Sequence, residues 1–275
     1  GDYLGGIFGI TKGANADTIV LLSVVMCRSF LKTFQGEEKL GTCILKSICS
    51  MFLIATAELK VMFIVFILLL AGASLMTRYS WRKMLLLCTA AVILVAGMDY
   101  AAALFGYRDT LSLESLWTIA TKANYSSSGD INRLSAISTL TKTIVRNPVD
   151  QLFGLGLGNC DTSGFAVCNS TFYQQYGYLH YTWNMSAMLF LETGYVGLGI
   201  YFLFLISCGW STFKQYQKGE GNRIYHQMAL MIVMLCVPLI FYNACLRVET
   251  AYMIYMVLAI PFIELKSKNA HTTIL

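Results

Sequence analysis

The sequence has too few charged residues for a protein whose whole surface faces water. Only 13% of its 275 residues are Asp, Glu, Lys or Arg, whereas 56% are hydrophobic, and the mean hydropathy is +0.60. Soluble globular domains carry about 25% charged residues, so this composition excludes an ordinary soluble domain and indicates an integral membrane protein. The formal net charge of +5 is spread between apolar runs, and nothing in it suggests nucleic-acid binding.

Motifs for several common kinds of chemistry are absent as well. The nine cysteines form no CxxC pair and no Cys/His cluster with metal-ligand spacing, and no Asp-rich motif for a divalent cation is visible. A glycine run at residues 152–158 lacks the Lys-Ser/Thr pair of a P-loop and follows a helical pattern rather than a strand. We therefore expect no metal, cofactor or nucleotide, and we interpret the glycine run as a tight turn where the backbone meets a neighbouring helix.

Apolar runs recur along the chain at lengths suited to crossing a bilayer. A transmembrane helix needs about 20 apolar residues, with a range of about 17 to 25. The candidate segments are Ala16–Phe34, Thr42–Ala57, Val61–Met76, Met84–Gly106, Met185–Cys208, Gln227–Asn243 and Ala251–Ile263. The sequence predicts an all-α polytopic membrane protein with about seven transmembrane helices. Because the chain begins within a loop-like stretch at Gly1, we expect further helices to precede it.

The distribution of Lys and Arg predicts how these segments are oriented, because short basic loops tend to stay cytoplasmic. The basic clusters share one side only if every intervening segment crosses once. They are Arg28/Lys32/Lys39, Arg78/Arg82/Lys83, Lys214/Lys218/Arg223 and Lys266/Lys268. The predicted organisation is transmembrane helices over 1–106, an extracytoplasmic loop over 107–183, transmembrane helices over 184–265, and a cytoplasmic tail over 266–275.

One segment of the extracytoplasmic loop has helical periodicity. Its apolar residues have the spacing of an amphipathic helix: Ile131, Leu134, Ile137, Leu140 and Ile144. Asp130 or Ser128 can cap its start, and Asn147-Pro148 stops it. We expect this helix to lie in the outer membrane interface with Arg133 in its first turn.

Two residues of this loop have both a chemical and an anchoring interpretation. Arg133 can pair bidentately with the phosphate oxygens of a lipid-linked substrate, or it can extend to phospholipid headgroups. His180, which precedes a predicted span, can take a proton from a hydroxyl nucleophile, or it can share interfacial anchoring with Tyr181 and Trp183. The residues alone leave both alternatives open.

Other ionisable residues lie in or beside predicted spans, where such groups usually face a partner or a cavity. Glu192 lies within a span and has either a functional role or a hydrogen bond inside the helix bundle. Glu58 and Lys60 lie at the outer end of another span, as site residues or as an exposed ion pair. Arg247 and Glu249, in the last outer loop, are equally open to both interpretations.

The cysteines fall into two groups. Most of them lie in apolar segments, where they act as small hydrophobic residues. Cys160 and Cys168 instead lie in the extracytoplasmic loop. A disulfide between them can form if the compartment is oxidising.

The order of the loop features resembles that of a known family. From Arg133 the chain continues through Asn147-Pro148, the glycine run at 152–158, His180 with Asn184, and Leu191-Glu192-Thr193-Gly194-Tyr195-Val196-Gly197. This order is similar to that of the O-antigen ligase and Wzy-type polysaccharide polymerase superfamily, over roughly residues 1–265. Upstream, Gly6-Ile7-Phe8-Gly9 and Ala57-Glu58-Leu59-Lys60 look like segments of polymerases from capsular or exopolysaccharide clusters.

The resemblance implies a metal-independent glycosyltransferase in the bacterial plasma or inner membrane with its active face outside. Its donor and acceptor would be polyprenyl diphosphate-linked oligosaccharides, and its neighbours would be membrane lipids, a chain-length regulator and a flippase. The family associates an arginine at the position of Arg133 and a histidine at that of His180 with the site. Another family arginine stands near Lys60, which keeps the charge but lacks the bidentate fork. Tyr181 follows the histidine where the family often has Asn.

The chemistry that the resemblance implies assigns a role to each candidate residue. The leaving diphosphate needs cations, which we expect from Arg133, Lys60 and Arg247. The acceptor hydroxyl needs a base, for which His180 is the first candidate and Glu58 the second. An O-antigen ligase that transfers glycan to a lipid or protein remains an alternative. A lipid-linked oligosaccharide flippase is another, although a transporter would place polar residues through the midplane.

Overall fold

The computed structural model describes residues 15–57, 59–77, 83 and 129–274, and these ranges contain helices and no strand. The α-helices within them are α1 (Asn15–Gln35), α2 (Leu40–Thr56), α3 (Lys60–Leu75), α4 (Ala136–Thr143), α5 (Pro148–Phe153), α6 (Thr171–Tyr176), α7 (Met185–Lys218), α8 (Arg223–Tyr242) and α9 (Ala251–Ile274). The all-α prediction is therefore confirmed for the described residues. The predicted span at 84–106 and the loop residues up to 128 lie outside them.

Two of the described helices are long and apolar enough to cross a membrane, namely α7 and α8. Shorter apolar stretches, Leu40–Ile54 and Val61–Leu75, lie in α2 and α3. Length and composition therefore support membrane association for part of this chain. The predicted number of spans and their orientation stay predictions.

Contacts divide the chain into two compact units, the first of which comprises 1–107, 207–236 and 249–275. In this unit α1 packs against α3, and the rings of Phe30 and Phe66 meet edge to face with centroids 5.1 Å apart. The helix buries positions such as Ile19, Met26 and Phe30 along one face, as expected from a helical repeat of 3.6 residues. This unit holds α1, α2 and α3 together by apolar packing.

The second unit comprises 108–206 and 237–248. Its core joins Leu140 of α4, the fully buried Tyr181, and Met188, Phe190 and Leu191 in the first turns of α7. Short 3-10 turns, Gly177–Leu179 and Tyr181–Trp183, connect α6 to α7. The loop residues identified in the sequence are thus fixed on the N-terminal part of a long apolar helix.

Helix α7 is broken at Gly194, whose φ of 64° and ψ of −163° lie in a region that only glycine adopts readily. The glycine run packs against this break, and a methyl group built on Gly154 would lie 2.3 Å from the backbone of Glu192. The N–H groups of Leu155 and Gly156 donate to the carbonyls of Leu191 (2.7 Å) and Glu192 (3.1 Å). These contacts confirm that the glycine run is a turn where backbone meets a helix.

The predicted amphipathic helix is shorter than expected. It begins at Ala136 rather than near residue 131, so Arg133 lies in the turn before the helix and not in its first turn. The side chain of Asn132 accepts a hydrogen bond from the N–H of Leu134 (3.2 Å), a local bond that competes with helix formation. The helix also ends earlier than predicted, at Thr143 rather than at Asn147-Pro148. Asn147 instead caps α5 by accepting a hydrogen bond from the N–H of Val149.

The C-terminal boundary also differs from the prediction. Helix α9 continues from Ala251 to Ile274 and so extends beyond the predicted span Ala251–Ile263. The assignment of residues 266–275 to a cytoplasmic tail stays a prediction. Lys and Ala are good helix formers, and the described residues after 265 contain no proline or glycine to end the helix.

Candidate active site

His180 and Asp130 form a close polar pair in the second unit. The Nδ1 atom of His180 lies 2.5 Å from Oδ1 of Asp130, with 41% of the histidine side chain and 22% of the aspartate side chain exposed. An ionised carboxylate can only accept a hydrogen bond, so Nδ1 carries a proton in this contact, and a neutral ring has the Nδ1–H tautomer. The Nε2 atom is then an acceptor, which is the state that a general base requires.

The backbone and ring of His180 are both constrained. Its φ of 51° makes it the one non-glycine residue with positive φ in the described part of the chain. Its ring is stacked on Trp183, with centroids 4.1 Å apart and an interplanar angle of 14°. A non-glycine residue in the left-handed region costs about 1–2 kcal/mol, and such conformations cluster at functional sites.

Arg133 has an exposed guanidinium beside an aromatic ring. Its Cζ atom lies 4.6 Å from the ring centroid of Tyr242, at the end of α8. This cation–π contact holds the side chain and leaves its N–H groups free of protein acceptors among the described residues. Such a guanidinium can bind phosphate oxygens with two parallel hydrogen bonds.

The guanidinium of Arg247 is already paired with protein groups. Its Nη1 donates to Oδ2 of Asp161 at 2.5 Å, and its Nη2 donates to the carbonyl of Thr182 at 3.3 Å. Its Nε is buried and has no hydrogen-bond partner in the described structure. Arg247 therefore ties the loop around Asp161 to the turn that follows His180, and an incoming phosphate would have to share it with Asp161.

Two backbone hydrogen bonds bring these segments together. The N–H of Ile131 donates to the carbonyl of Leu179 (2.9 Å), which places the Asp130–Arg133 turn beside His180. The N–H of Met185 donates to the carbonyl of Asn243 (3.1 Å), which joins the start of α7 to the residue that follows Tyr242. The structure thus gathers His180, Arg133 and Arg247 into one unit, although they are far apart in sequence.

Several buried polar atoms near this junction have no partner in the described structure. Oδ1 of Asn184, Oγ of Ser186 and Nδ2 of Asn243 are all in this state. Each unpaired buried polar group costs about 1–3 kcal/mol. Their presence beside the turn that carries His180 is typical of a site where polarity is retained at the expense of stability.

Tyr181 and Cys160 form the buried support of this turn. The hydroxyl of Tyr181 donates to the carbonyl of Cys160 at 2.7 Å, and both residues are fully buried. Burial raises the pKa of the Cys160 thiol to about 12 and also raises the pKa of Tyr181, with nearby Asp161 and Glu192 adding to both shifts. Tyr181 is therefore a core residue rather than the interfacial anchor that the sequence suggested.

The disulfide considered from the sequence is not formed. Cys160 and Cys168 are both free thiols, the first buried and the second exposed. Cys160 faces the core, where its carbonyl binds Tyr181.

The remaining candidates fall in different parts of the chain. Lys60 begins α3 in the first unit, and Glu58 lies outside the described residues. Glu249 belongs to the first unit and is exposed. Glu192 accepts a hydrogen bond from the N–H of Gly158 at 2.8 Å, so its partner lies in the glycine run and not inside a helix bundle.

Sequence reasoning missed or misassigned three residues that contact the candidate site residues, namely Asp130, Trp183 and Tyr242. Asp130 was expected to cap a helix, but it pairs with a residue 50 positions away. Tyr242 lies in an apolar run and carried no signal that it would meet Arg133. Only Trp183 carried a signal in the sequence, because a tryptophan three residues after a histidine in a helical turn can face that histidine.

Within the described residues, no group of three or more His, Cys, Asp or Glu side chains could hold a metal ion. The cluster contains an imidazole paired with a carboxylate, one exposed guanidinium and one guanidinium paired with Asp161. No protein-family model matches the chain, and neither a curated protein nor a solved structure matches it.

Proposed function

We propose that this chain is a membrane glycosyltransferase of the polysaccharide polymerase type. It joins oligosaccharide units carried on polyprenyl diphosphate at the extracytoplasmic face of a bacterial plasma or inner membrane. The observation that carries this proposal is His180, held by Asp130 and Trp183, in the same unit as the exposed guanidinium of Arg133. The order of sequence features shared with the polymerase and ligase superfamily supplies the substrate class.

The cluster suits a direct displacement at a sugar carbon. His180 Nε2 takes the proton of an acceptor hydroxyl while the hydroxyl oxygen attacks the anomeric carbon of the donor. The bond from that carbon to the diphosphate oxygen breaks, and polyprenyl diphosphate leaves with the bonding electrons. Arg133 stabilises the charge that develops on the diphosphate. A single displacement inverts the anomeric configuration.

The other predicted site residues fit this scheme to different degrees. Arg247 contributes positive charge close to the turn of His180, but it is shared with Asp161. We propose Lys60 as a further cation for the diphosphate and Glu58 as a second acid-base group, both on the strength of the family resemblance. Donor and acceptor both reach the site from the membrane. A flippase and a chain-length regulator of the same pathway are the proposed protein partners.

An O-antigen ligase is the second candidate. Ligation uses the same donor, base and cations, and differs only in the acceptor. The glycine run and the segment around Gly194, which resemble both members of the superfamily, favour neither. A flippase is favoured less, because Glu192 is the only charged residue of α7 in the described part of the second unit, whereas a transporter would place polar residues through the midplane.

Polymer length in cells tests the proposal. Cells that lack the endogenous gene receive the full-length protein as wild type, His180→Ala, Arg133→Ala or the control Arg146→Ala, at matched membrane levels. Arg146 is an exposed arginine of the same loop with no assigned role. We expect both site variants to lose long chains and accumulate single carrier-linked units, whereas Arg146→Ala polymerises normally. Normal polymer in both site variants would contradict the site assignment.

A further inference from the structure

The first unit contains a cavity that is separate from the candidate active site. It has a volume of about 520 Å³ and lies between the end of α3, the last turns of α7 and the first half of α8. Its wall is apolar at Leu230, Val233 and Met234, whereas Tyr216, Arg223 and Thr77 provide polar groups. An apolar wall with a cationic end matches an amphiphile that carries a negative headgroup.

The cationic end of this cavity is pre-organised. Arg223 is exposed, and its Nε and Nη2 donate to the hydroxyl of Tyr216 at 3.1 and 2.8 Å. These bonds fix the guanidinium plane and leave Nη1 for a ligand. Among the described residues, no Asp or Glu lines the cavity, so its charge is complementary to an anion.

The apolar end lies within reach of an acyl chain whose headgroup is bound at Arg223. Leu230 and Met234 are two to three helical turns after Arg223, which corresponds to roughly 10–16 Å along α8. Met234 is 59% exposed. Because α8 is apolar enough to cross a membrane, this exposed side chain is available to lipid. Trp210 is also 59% exposed and lies under Lys214 on α7, an arrangement typical of the membrane interface.

We propose that this cavity binds an anionic membrane phospholipid, with its phosphate on Arg223 and one acyl chain along Leu230, Val233 and Met234. The proposal depends on α7 and α8 crossing the membrane and is independent of glycan transfer. Neutral phospholipids share the acyl chain and the phosphate but not the net negative charge. The site should therefore select phosphatidylglycerol over phosphatidylcholine.

Native mass spectrometry of the full-length protein in detergent measures this selectivity directly. Titration with phosphatidylglycerol should give a retained adduct, and phosphatidylcholine should bind at least about 10-fold more weakly, because Arg223 repels the choline cation that cancels the charge of its phosphate. Arg223→Gln should abolish the preference. The control Lys218→Gln, at an exposed cation paired loosely with Glu220 (3.8 Å), should keep it.

Two further measurements control for misfolding of Arg223→Gln and for binding of the phosphate group alone. Met234→Gln changes an exposed side chain and should weaken phosphatidylglycerol binding without changing the unfolding temperature, which covers the case in which Arg223→Gln misfolds. Inorganic phosphate at equal concentration should not displace the lipid. Equal retention of both lipids by the wild type, retention by Arg223→Gln and Met234→Gln at wild-type level, or displacement by phosphate would each overturn the proposal.

Discussion

At the scale of single residues, the account depends on how His180 is held. A histidine with positive φ, a carboxylate on Nδ1 and an indole on its face has one accessible ring nitrogen. Together these constraints limit the ring to a single orientation. This lowers the entropy that is lost when a substrate hydroxyl reaches Nε2. Asp130 is therefore a positioning residue that acts through His180.

Replacement of Asp130 by Asn should separate positioning from structure. The amide can donate to Nδ1, which would place the ring proton on Nε2 and remove the acceptor that the reaction needs. We expect a large loss of turnover with little change in the unfolding temperature or in the KM for the lipid-linked unit. His180→Ala should lose about 10²–10⁴-fold, and adding Asp130→Asn to it should cause no further loss. Additive losses in the double variant would contradict a role through His180.

The two loop cysteines should differ in reactivity. Burial raises the pKa of Cys160 to about 12, so this thiol stays protonated and unreactive at pH 7 to 9, whereas Cys168 is exposed. A membrane-impermeant maleimide followed by peptide mapping should label Cys168 and spare Cys160 until the protein is unfolded. Labelling of Cys160 in the folded protein, or resistance of both residues until a reductant is added, would contradict the described loop.

At the scale of elements, the central feature is the break in α7 and the glycine run that covers it. The break at Gly194 leaves the carbonyls of Leu191 and Glu192 without their usual helical partners, and the N–H groups of Leu155 and Gly156 replace them. The carboxylate of Glu192 then binds Gly158 N–H. This arrangement positions the loop around Asp161 next to the first turns of α7.

Gly154→Ala should destabilise the protein strongly. The residue has a φ of 78° and its methyl group would overlap the backbone at Glu192, so we expect a loss of at least about 2 kcal/mol in the free energy of unfolding. Thermal unfolding in detergent measures this effect. Gly164→Ala is the matched control, because no atom lies within 4 Å of its added methyl group, and it should leave the midpoint unchanged. Equal stability of the two variants would refute the contact.

The Arg247–Asp161 pair should be energetically coupled. Both side chains are partly exposed, at 26% and 34%, so solvent screening keeps the expected coupling to about 1 kcal/mol. Unfolding of the wild type, Arg247→Ala, Asp161→Ala and the double variant completes the cycle. Strict additivity would mean that the pair does not hold the loop. Retained polymerisation in Arg247→Ala, with lowered stability alone, would limit this arginine to a structural role.

At the scale of the whole molecule, composition and periodicity predicted the helical class and most helix bounds. The apolar run 185–208 falls within α7, and the run 227–243 falls within α8 except for its last residue, because burial or lipid contact imposes one pattern along an entire helix. The order of loop features also pointed to His180 and Arg133. The membrane topology stays a prediction, since helix length and composition support two candidate spans among the described residues.

The contacts that build the site could not be predicted in the same way. Asp130 pairs with His180 across 50 residues, and Arg133 meets Tyr242 across more than 100. Side-chain contacts between distant segments depend on tertiary packing, which leaves no local periodicity in a single sequence. The late start of α4, at Ala136, was missed for a related reason. The hydrogen bond from the N–H of Leu134 to the side chain of Asn132 outweighs a favourable apolar pattern.

Reconstitution tests the central claim most directly. The full-length protein is placed in liposomes with a defined polyprenyl diphosphate-linked oligosaccharide, as wild type, His180→Ala and Arg146→Ala, and the products are resolved by length. The account predicts a ladder of longer lipid-linked glycans with free polyprenyl diphosphate for the wild type and Arg146→Ala, and unreacted units for His180→Ala. Recovery of units that are unchanged in length but moved across the bilayer, in wild type and variant alike, would contradict glycan transfer and indicate a transporter.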